Sequence, residues 1–363
     1  MRETRDGITR KVNKVKKAFT LASTLLCVSV LCVGALHVQS ADAKEPVKLI
    51  YDTDMGNDID DVFALAMINN LEKRGEIDFL ALTLTKDNKY AAPYCKMLNA
   101  FYENPNVPIG YVKDSGCTPE DGKFLRQSLE AKDENGNLMF PFFNLAEDTT
   151  DYCEAVALLR KTLAAQEDNS VVISQVGFST NLARLLDTPA DEYSDLTGRE
   201  LAAKKVKYLV VMAGNFKEAT HSEYNVINDV PAAQKVFAEW PTKIYCSGFE
   251  VGREIFMTGR TMLDDYNYVK YHPVKEAYKY YRNLDANAKQ CTWDLTTILF
   301  AARQDRGYFD LSEPGKVEID DQGHSFFKAD ANGNVQLFVV NREQIVRIQE
   351  AFEWLCSERL LNK

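Results

Sequence analysis

Five aspartates fall within ten residues of this chain: Asp52, Asp54, Asp58, Asp60 and Asp61. Carboxylates crowded this closely repel one another and raise one another's pKa values unless a positive charge joins them. A divalent cation is the simplest remedy, and a donor set made only of oxygen selects a hard one, Ca²⁺ or Mg²⁺. Such an ion depresses the pKa of a bound water, and an adjacent aspartate can take the proton, which is the chemistry of hydrolysis. The flanking elements say where these groups sit. Val47–Tyr51 is a short apolar run and reads as a buried strand, and Val62–Ile68 reads as an apolar helix. The aspartates therefore occupy a strand-to-helix loop, and in open α/β sheets ligands bind beyond the carboxyl ends of the strands.

Simpler roles for these aspartates cover less of the pattern. Helix capping accounts for one or two of them, Asp60 or Asp61, but not for five. An EF-hand needs Gly at the sixth loop position and Glu at the twelfth; counted from Asp52, these are Asn57 and Phe63. A strand followed by Asp-x-Asp also resembles the opening of haloacid-dehalogenase-type Mg²⁺ phosphohydrolases, where Asp52 would be the nucleophile. That alternative needs a lysine and a later acidic pair at strand ends, and no convincing pair follows.

Composition narrows the class. The chain has 363 residues, 45% hydrophobic and 26% charged, enough to bury a large core. Residues 1–43 stand apart from it. Seven Lys and Arg residues precede an apolar run, Ala18–Val38, and Ala41-Asp-Ala43 offers a small-residue cleavage site. This is a secretory signal pattern, with an uncleaved membrane anchor as its alternative. The expected product is an exported domain, residues 44–363, periplasmic or secreted and off the membrane once the signal is removed. Without those basic residues the remainder is more acidic than the overall net charge of −10, an unattractive surface for nucleic acid or anionic membranes. Of the eight cysteines, the six beyond the leader (Cys95, Cys117, Cys153, Cys246, Cys291, Cys356) have long irregular spacings without a C-x-x-C pair, and read mostly as buried thiols.

Further along, Ile77–Leu84 and Val107–Tyr111 read as strands with a helix between them, giving a βαβαβ opening with parallel strands. Residues 113–150 are rich in turn clusters and read as a surface insertion that could wall a pocket. More strands are expected at Ser170–Val176, Val206–Ala213 and Thr242–Ser247, with helices at Tyr152–Ala165, after Gly177, and at Pro231–Ala238. Tyr266–Leu284 reads as exposed helix and loop. A helix begins near Thr292, residues 316–321 and 335–340 read as a late β-hairpin around Asp330–Asn334, and a closing helix spans about 343–361. The expected fold is α/β, a mostly parallel central sheet flanked by helices.

Several motifs occur in order along this frame: Asp-Thr-Asp-x-Gly-x-Asp-x-Asp-Asp, Gly-Phe-Ser-Thr-Asn-Leu-Ala, Met-Ala-Gly-Asn, Glu-Tyr-Asn with a following Asp-x-x-Ala-Ala, and Trp-Asp-x-Thr. The set resembles the inosine–uridine-preferring nucleoside hydrolases. That resemblance implies a Ca²⁺-dependent enzyme that cleaves the N-glycosidic bond of a ribonucleoside, or a close ribosyl analogue, to free base and ribose. The chemistry fits the residues, because breaking this bond develops oxocarbenium character that a site holding the ribose hydroxyls can support. By resemblance Asp54 is a metal ligand and the general base, Asp61 and Asp294 are further ligands, and the main-chain carbonyl of Val176 completes the set. Asp60, Asn88, Met212, Glu223 and Asn225 are expected around the ribose. Members are often dimers or tetramers, so a homo-oligomer is among the expectations.

Two departures shape the reading. The acidic loop is two residues longer than the family's shorter form, which leaves the place of Asp58 open: it could replace or assist Asp54. Where many members place a His before the last metal-binding Asp, this chain has Trp293, which cannot protonate a leaving base but can stack on it. A non-catalytic ribosyl-binding protein is therefore a third reading.

Overall fold

The computed structural model describes residues 45–114, 124–218 and 220–359. The leader, Cys117 and the last residues of the expected closing helix lie outside them. The acidic loop follows strand β1 (Val47–Thr53), whose last five residues are buried. Strands β2 (Ile77–Leu84), β3 (Ile109–Tyr111) and β4 (Cys153–Glu154) add to one side of it in turn, all parallel. The chain then crosses back. Strand β5 (Val171–Gln175) pairs with the other side of β1, followed outward by β6 (Val206–Met212) and β7 (Lys243–Ser247), again all parallel. Strand order thus reverses between β1 and β5, the crevice where open α/β sheets take their ligands.

Close backbone packing holds that crevice together. Val176 N–H donates to the Asp52 carbonyl at 2.7 Å. A Cβ on Gly177 would lie 2.2 Å from Thr85 Oγ1 and 2.6 Å from the Asp54 amide nitrogen, so only glycine lets the β5 loop reach the β1 loop.

Two helices run from the rim into the core. In Asp60–Lys73 every residue from Asp60 to Leu71 is buried, as its apolar sequence requires. In Leu295–Arg303 every residue is buried. Both lie among the core contacts of the sheet and of each other.

Three expectations change. The hairpin exists, but it joins β11 (Gly315–Ile319) to β12 (Ser325–Ala329) around Asp320–His324. Strand β13 (Val335–Val339) instead runs parallel to β7 and meets β11 only at Gly315; β10 (Asp310–Leu311) pairs antiparallel with β13, and a separate two-stranded sheet holds β8 (Phe256–Thr258) and β9 (Lys289–Cys291). The segment after residue 123 is no surface insertion. Phe124, Leu125, Leu129, Phe140 and Phe143 are buried, and the short helix Leu125–Leu129 packs on the helices Ala91–Phe101 and Pro273–Tyr281. Tyr266–Leu284 is likewise half interior: Tyr266, Val274, Ala277 and Tyr278 are buried, a helical spacing that its charged residues masked. Among the described residues the cysteines are free thiols, three of them buried, and no helix is long and apolar enough to cross a membrane.

Candidate active site

A cavity of about 420 Å³ opens at the β1/β5 crevice. It is lined by residues from seven separate stretches: the acidic loop (Asp54 to Asp61), Val176 after β5, Met212 at the end of β6, Glu223–Asn225, Phe249, Tyr281, and the pair Trp293-Asp294. Asp60 and Asp61 enter from the first turn of their helix, where negative charge complements the helix dipole. Asp294 precedes the helix Leu295–Arg303, more than 230 residues away in sequence. Asp60, Asp61 and Asp294 each present a carboxylate oxygen within 4.8 Å of the others, and all three are buried.

Their hydrogen bonds show how the loop is held. Asp60 Oδ2 accepts from the backbone N–H groups of Trp293 (2.9 Å) and Asp294 (3.2 Å), which ties the two distant segments together. Thr53 Oγ1 donates to Asp61, and Asn57 Nδ2 donates to Asp54 at 3.0 Å. Burial pushes Asp60, Asp61 and Asp294 well above the ordinary carboxylate range, and the neighbouring aspartates push them further. Burial also raises Asp54, to about 7, against the lowering influence of the Lys86 ammonium. Four buried carboxylates facing the single ammonium of Lys86 leave an excess of negative charge in the cluster.

The other expected residues divide. Met212, Glu223, Asn225 and Trp293 line the cavity with Val176. Asn225 Nδ2 donates to the Val176 carbonyl at 2.7 Å and to the Met212 carbonyl at 3.1 Å, so it clamps the ends of β5 and β6. The Val176 carbonyl keeps a second lone pair. Glu223 caps the short helix Tyr224–Ile227, accepting from Asn225 N–H (2.9 Å), Val226 N–H (3.2 Å) and Gly214 N–H (3.1 Å); burial raises it to about 7 despite these bonds. Asn88 does not line the cavity. Its Oδ1 turns back to accept from Tyr90 N–H at 2.9 Å, within the turn that leads into the next helix. Asp52 is fully buried away from the cavity and accepts from Thr83 Oγ1 (2.5 Å) and Asn181 Nδ2 (2.8 Å), which removes it as a nucleophile.

Sequence reasoning named Asp58 without settling its role, and missed several other contributors. Asp58 reaches the cavity, held by its own loop through Ile59 N–H and by Gln290 Nε2 at 3.0 Å. Phe249 stacks on Trp293, ring centroids 5.5 Å apart and 21° from parallel, and accepts the indole N–H at 2.9 Å through its backbone carbonyl. Gly252 makes this approach feasible, since a Cβ there would lie 2.3 Å from the indole. His221 is exposed and packs on the outer side of Phe249 at 4.8 Å. Tyr224, the middle residue of the Glu-Tyr-Asn motif, and Tyr281, which no motif marks, also line the cavity. Lys86, almost fully buried, reaches Asn57 Oδ1 at 3.1 Å.

A cavity at a strand-order reversal, floored by convergent carboxylates and walled by aromatics, defines a hydrolase-type small-molecule site. The sequence model of the inosine-uridine preferring nucleoside hydrolase family matches residues 49–347, and the chain belongs to that family, which makes it an N-glycosyl hydrolase of nucleosides. No curated protein matches it. Solved structures share its fold at low identity. An inosine-guanosine nucleoside hydrolase is 16% identical over 86% of this chain and 99% of its own, with a TM-score of 0.66. The inosine-uridine preferring nucleoside hydrolase of Bacillus anthracis is 17% identical over 85% and 99%, TM-score 0.60. The type III effector XopQ, solved with adenosine diphosphate ribose, is 14% identical over 87% and 96%, TM-score 0.59.

Proposed function

We propose that this chain is an exported, Ca²⁺-dependent hydrolase that splits ribonucleosides, or close ribosyl analogues, into base and ribose. The observation that carries this reading is the meeting of Asp60, Asp61 and Asp294 within 4.8 Å beneath a cavity of about 420 Å³. The residues fit a hard cation: every donor is oxygen, the carboxylates are buried, and burial plus mutual repulsion has raised their pKa values. Asp54, Asp61, Asp294 and the Val176 carbonyl would hold it, with Asp60 bracing the cluster against the Trp293 and Asp294 amides. When bound, the cation supplies chelation of vicinal ribose hydroxyls and a more acidic water.

Asp54 would serve as general base for the attacking water. Met212, Glu223 and Asn225 form the wall beside the ribose, and Asp60 accepts from one of its hydroxyls. Trp293 and Phe249 give the base an aromatic face. Trp293 cannot serve as the leaving-group acid, since its N–H already donates to the Phe249 carbonyl. The volume lies in the range of roughly 300–1,000 Å³ usual for small-molecule sites. The basic and apolar leader within residues 1–43 supports export.

The test is reducing-sugar release from a panel of purine and pyrimidine nucleosides, with and without chelator. Release that the chelator abolishes and Ca²⁺ restores is the expected result. Tight ligand binding without release would make the chain a binding protein, and Mg²⁺ restoring activity where Ca²⁺ does not would overturn the metal assignment.

A further inference from the structure

The carboxamide of Asn57 has contacts that fix its orientation by chemistry alone. Lys86 Nζ lies 3.1 Å from Asn57 Oδ1, and the Tyr224 hydroxyl donates to the same oxygen at 2.9 Å. An ammonium only donates, so the atom facing Lys86 must be the carbonyl oxygen. The NH₂ group then faces the other way, toward Asp54 Oδ2 at 3.0 Å. An ionised carboxylate only accepts, so this end is satisfied as well. Flipping the amide would set NH₂ against NH₃⁺ and oxygen against carboxylate, breaking both contacts together.

Lys86 is a costly residue to keep here, because it is only 3% exposed and a buried ammonium loses its hydration. It comes from the turn directly after β2, where Thr85 N–H bonds the Thr53 carbonyl and pins that turn to the acidic loop. The lysine therefore approaches the loop from behind, while Tyr224 approaches Asn57 from the cavity side.

We propose that Lys86 is a positioning residue for the reaction: acting through Asn57, it fixes which oxygen of Asp54 is bonded and which faces the water to be activated. Tyr224 shares this hold from the opposite wall. The inference rests on the assignment of Asp54 as general base.

Four variants test it: Lys86→Met, Asn57→Leu, the double variant, and the isosteric Asn57→Asp, which keeps the volume but turns an oxygen toward Asp54. Outer partners of this kind are typically worth about 10–100-fold in activity, and that loss is expected in kcat with KM little changed. The double variant should be no worse than the weaker single one, because the two residues act as one unit. A crystal structure of Lys86→Met should show the Asn57 carboxamide rotated off Asp54. Wild-type kcat in both Lys86→Met and Asn57→Asp, or losses that multiply in the double variant, would overturn the proposal. If the wild-type chain releases no sugar, the functional reading fails on its own; the crystal structure then decides the orientation, a rotated carboxamide upholding it and an unmoved one refuting it.

Discussion

The two helices that cross the core carry carboxylates at opposite ends, and the ends behave differently. At the cavity, Asp60 and Asp61 begin one helix and Asp294 precedes the other. At the far end, Arg74 follows the first helix and Arg303 finishes the second, and both converge on Glu76. Arg303 grips it with two bonds, Nε–Oε2 at 2.7 Å and Nη2–Oε1 at 2.8 Å, and Arg74 Nε adds a third at 2.8 Å. Burial alone would raise Glu76, but these arginines pull it down to about 2. Burial likewise raises Asp54, and there a single lysine leaves it at about 7. The lesson is that acid strength inside this protein is set by whether the chain supplies a counter-charge. Two arginines do so at Glu76, whereas one lysine serves several buried carboxylates at the cavity, where an outside cation would complete the set.

Breaking the cavity end should hurt function most. Asp54→Asn is expected to lower kcat by about 10²–10⁴-fold, the usual worth of a general base, with the fold intact by circular dichroism. A retained rate would move the base elsewhere. Next comes the cation itself. At about 100 times its dissociation constant, Ca²⁺ should stabilise the wild type by about 2.7 kcal/mol, read as a rise in Tm, and Asp294→Ala should lose most of that rise. An equal rise in both would remove Asp294 from the ligand set.

Acidity gives a third test. Asp52, Asp54 and Glu223 all have folded pKa values of about 7, above their ordinary ones, so the folded state binds more protons than the unfolded. Stability of the chelated protein is therefore greatest below about pH 4 as far as these groups are concerned, and falls as pH rises from about 4 to 7. Saturating Ca²⁺ should flatten the upper part of that fall in a series of Tm measurements; a Tm of the chelated protein that rises over the same interval would contradict the burial account.

The smallest effect on turnover belongs to the far end. Glu76→Gln leaves Arg303 buried without its bidentate partner and should cost about 1–3 kcal/mol of stability by chemical denaturation, with kcat unchanged. A large loss of activity would mean that the two ends are coupled through the helices.

Much of this contrast was legible in the sequence, and for physical reasons. The parallel strands are continuous apolar runs, which only burial on both faces explains. The aspartate spacing placed Asp54, Asp60 and Asp61 in one loop, and the ordered motifs brought Val176, Met212, Asn225 and Asp294 to it. What escaped were contacts decided by side-chain direction. Asn88 and Lys86 sit two residues apart in the same turn, yet Lys86 meets the acidic loop and the Asn88 carboxamide oxygen turns back to the Tyr90 amide. Phe249 and Tyr281 reach the cavity from positions that carry no motif, and Tyr224 reaches it from inside one without having been given a role. The hairpin was misassigned because β13 offers the same alternating pattern to β7 that it could have offered to β11.

The central claim is a hard cation joining carboxylates whose combined charge the single lysine Lys86 does not balance. An anomalous difference map from crystals grown with Ca²⁺, or with Mn²⁺ in its place, tests this most directly. The predicted result is a single strong peak within about 2.3–2.6 Å of oxygens from Asp61 and Asp294 for Ca²⁺, with Asp54 and the Val176 carbonyl in the same shell. A cluster that stays without a peak, its aspartates protonated and bonded to one another, would contradict it.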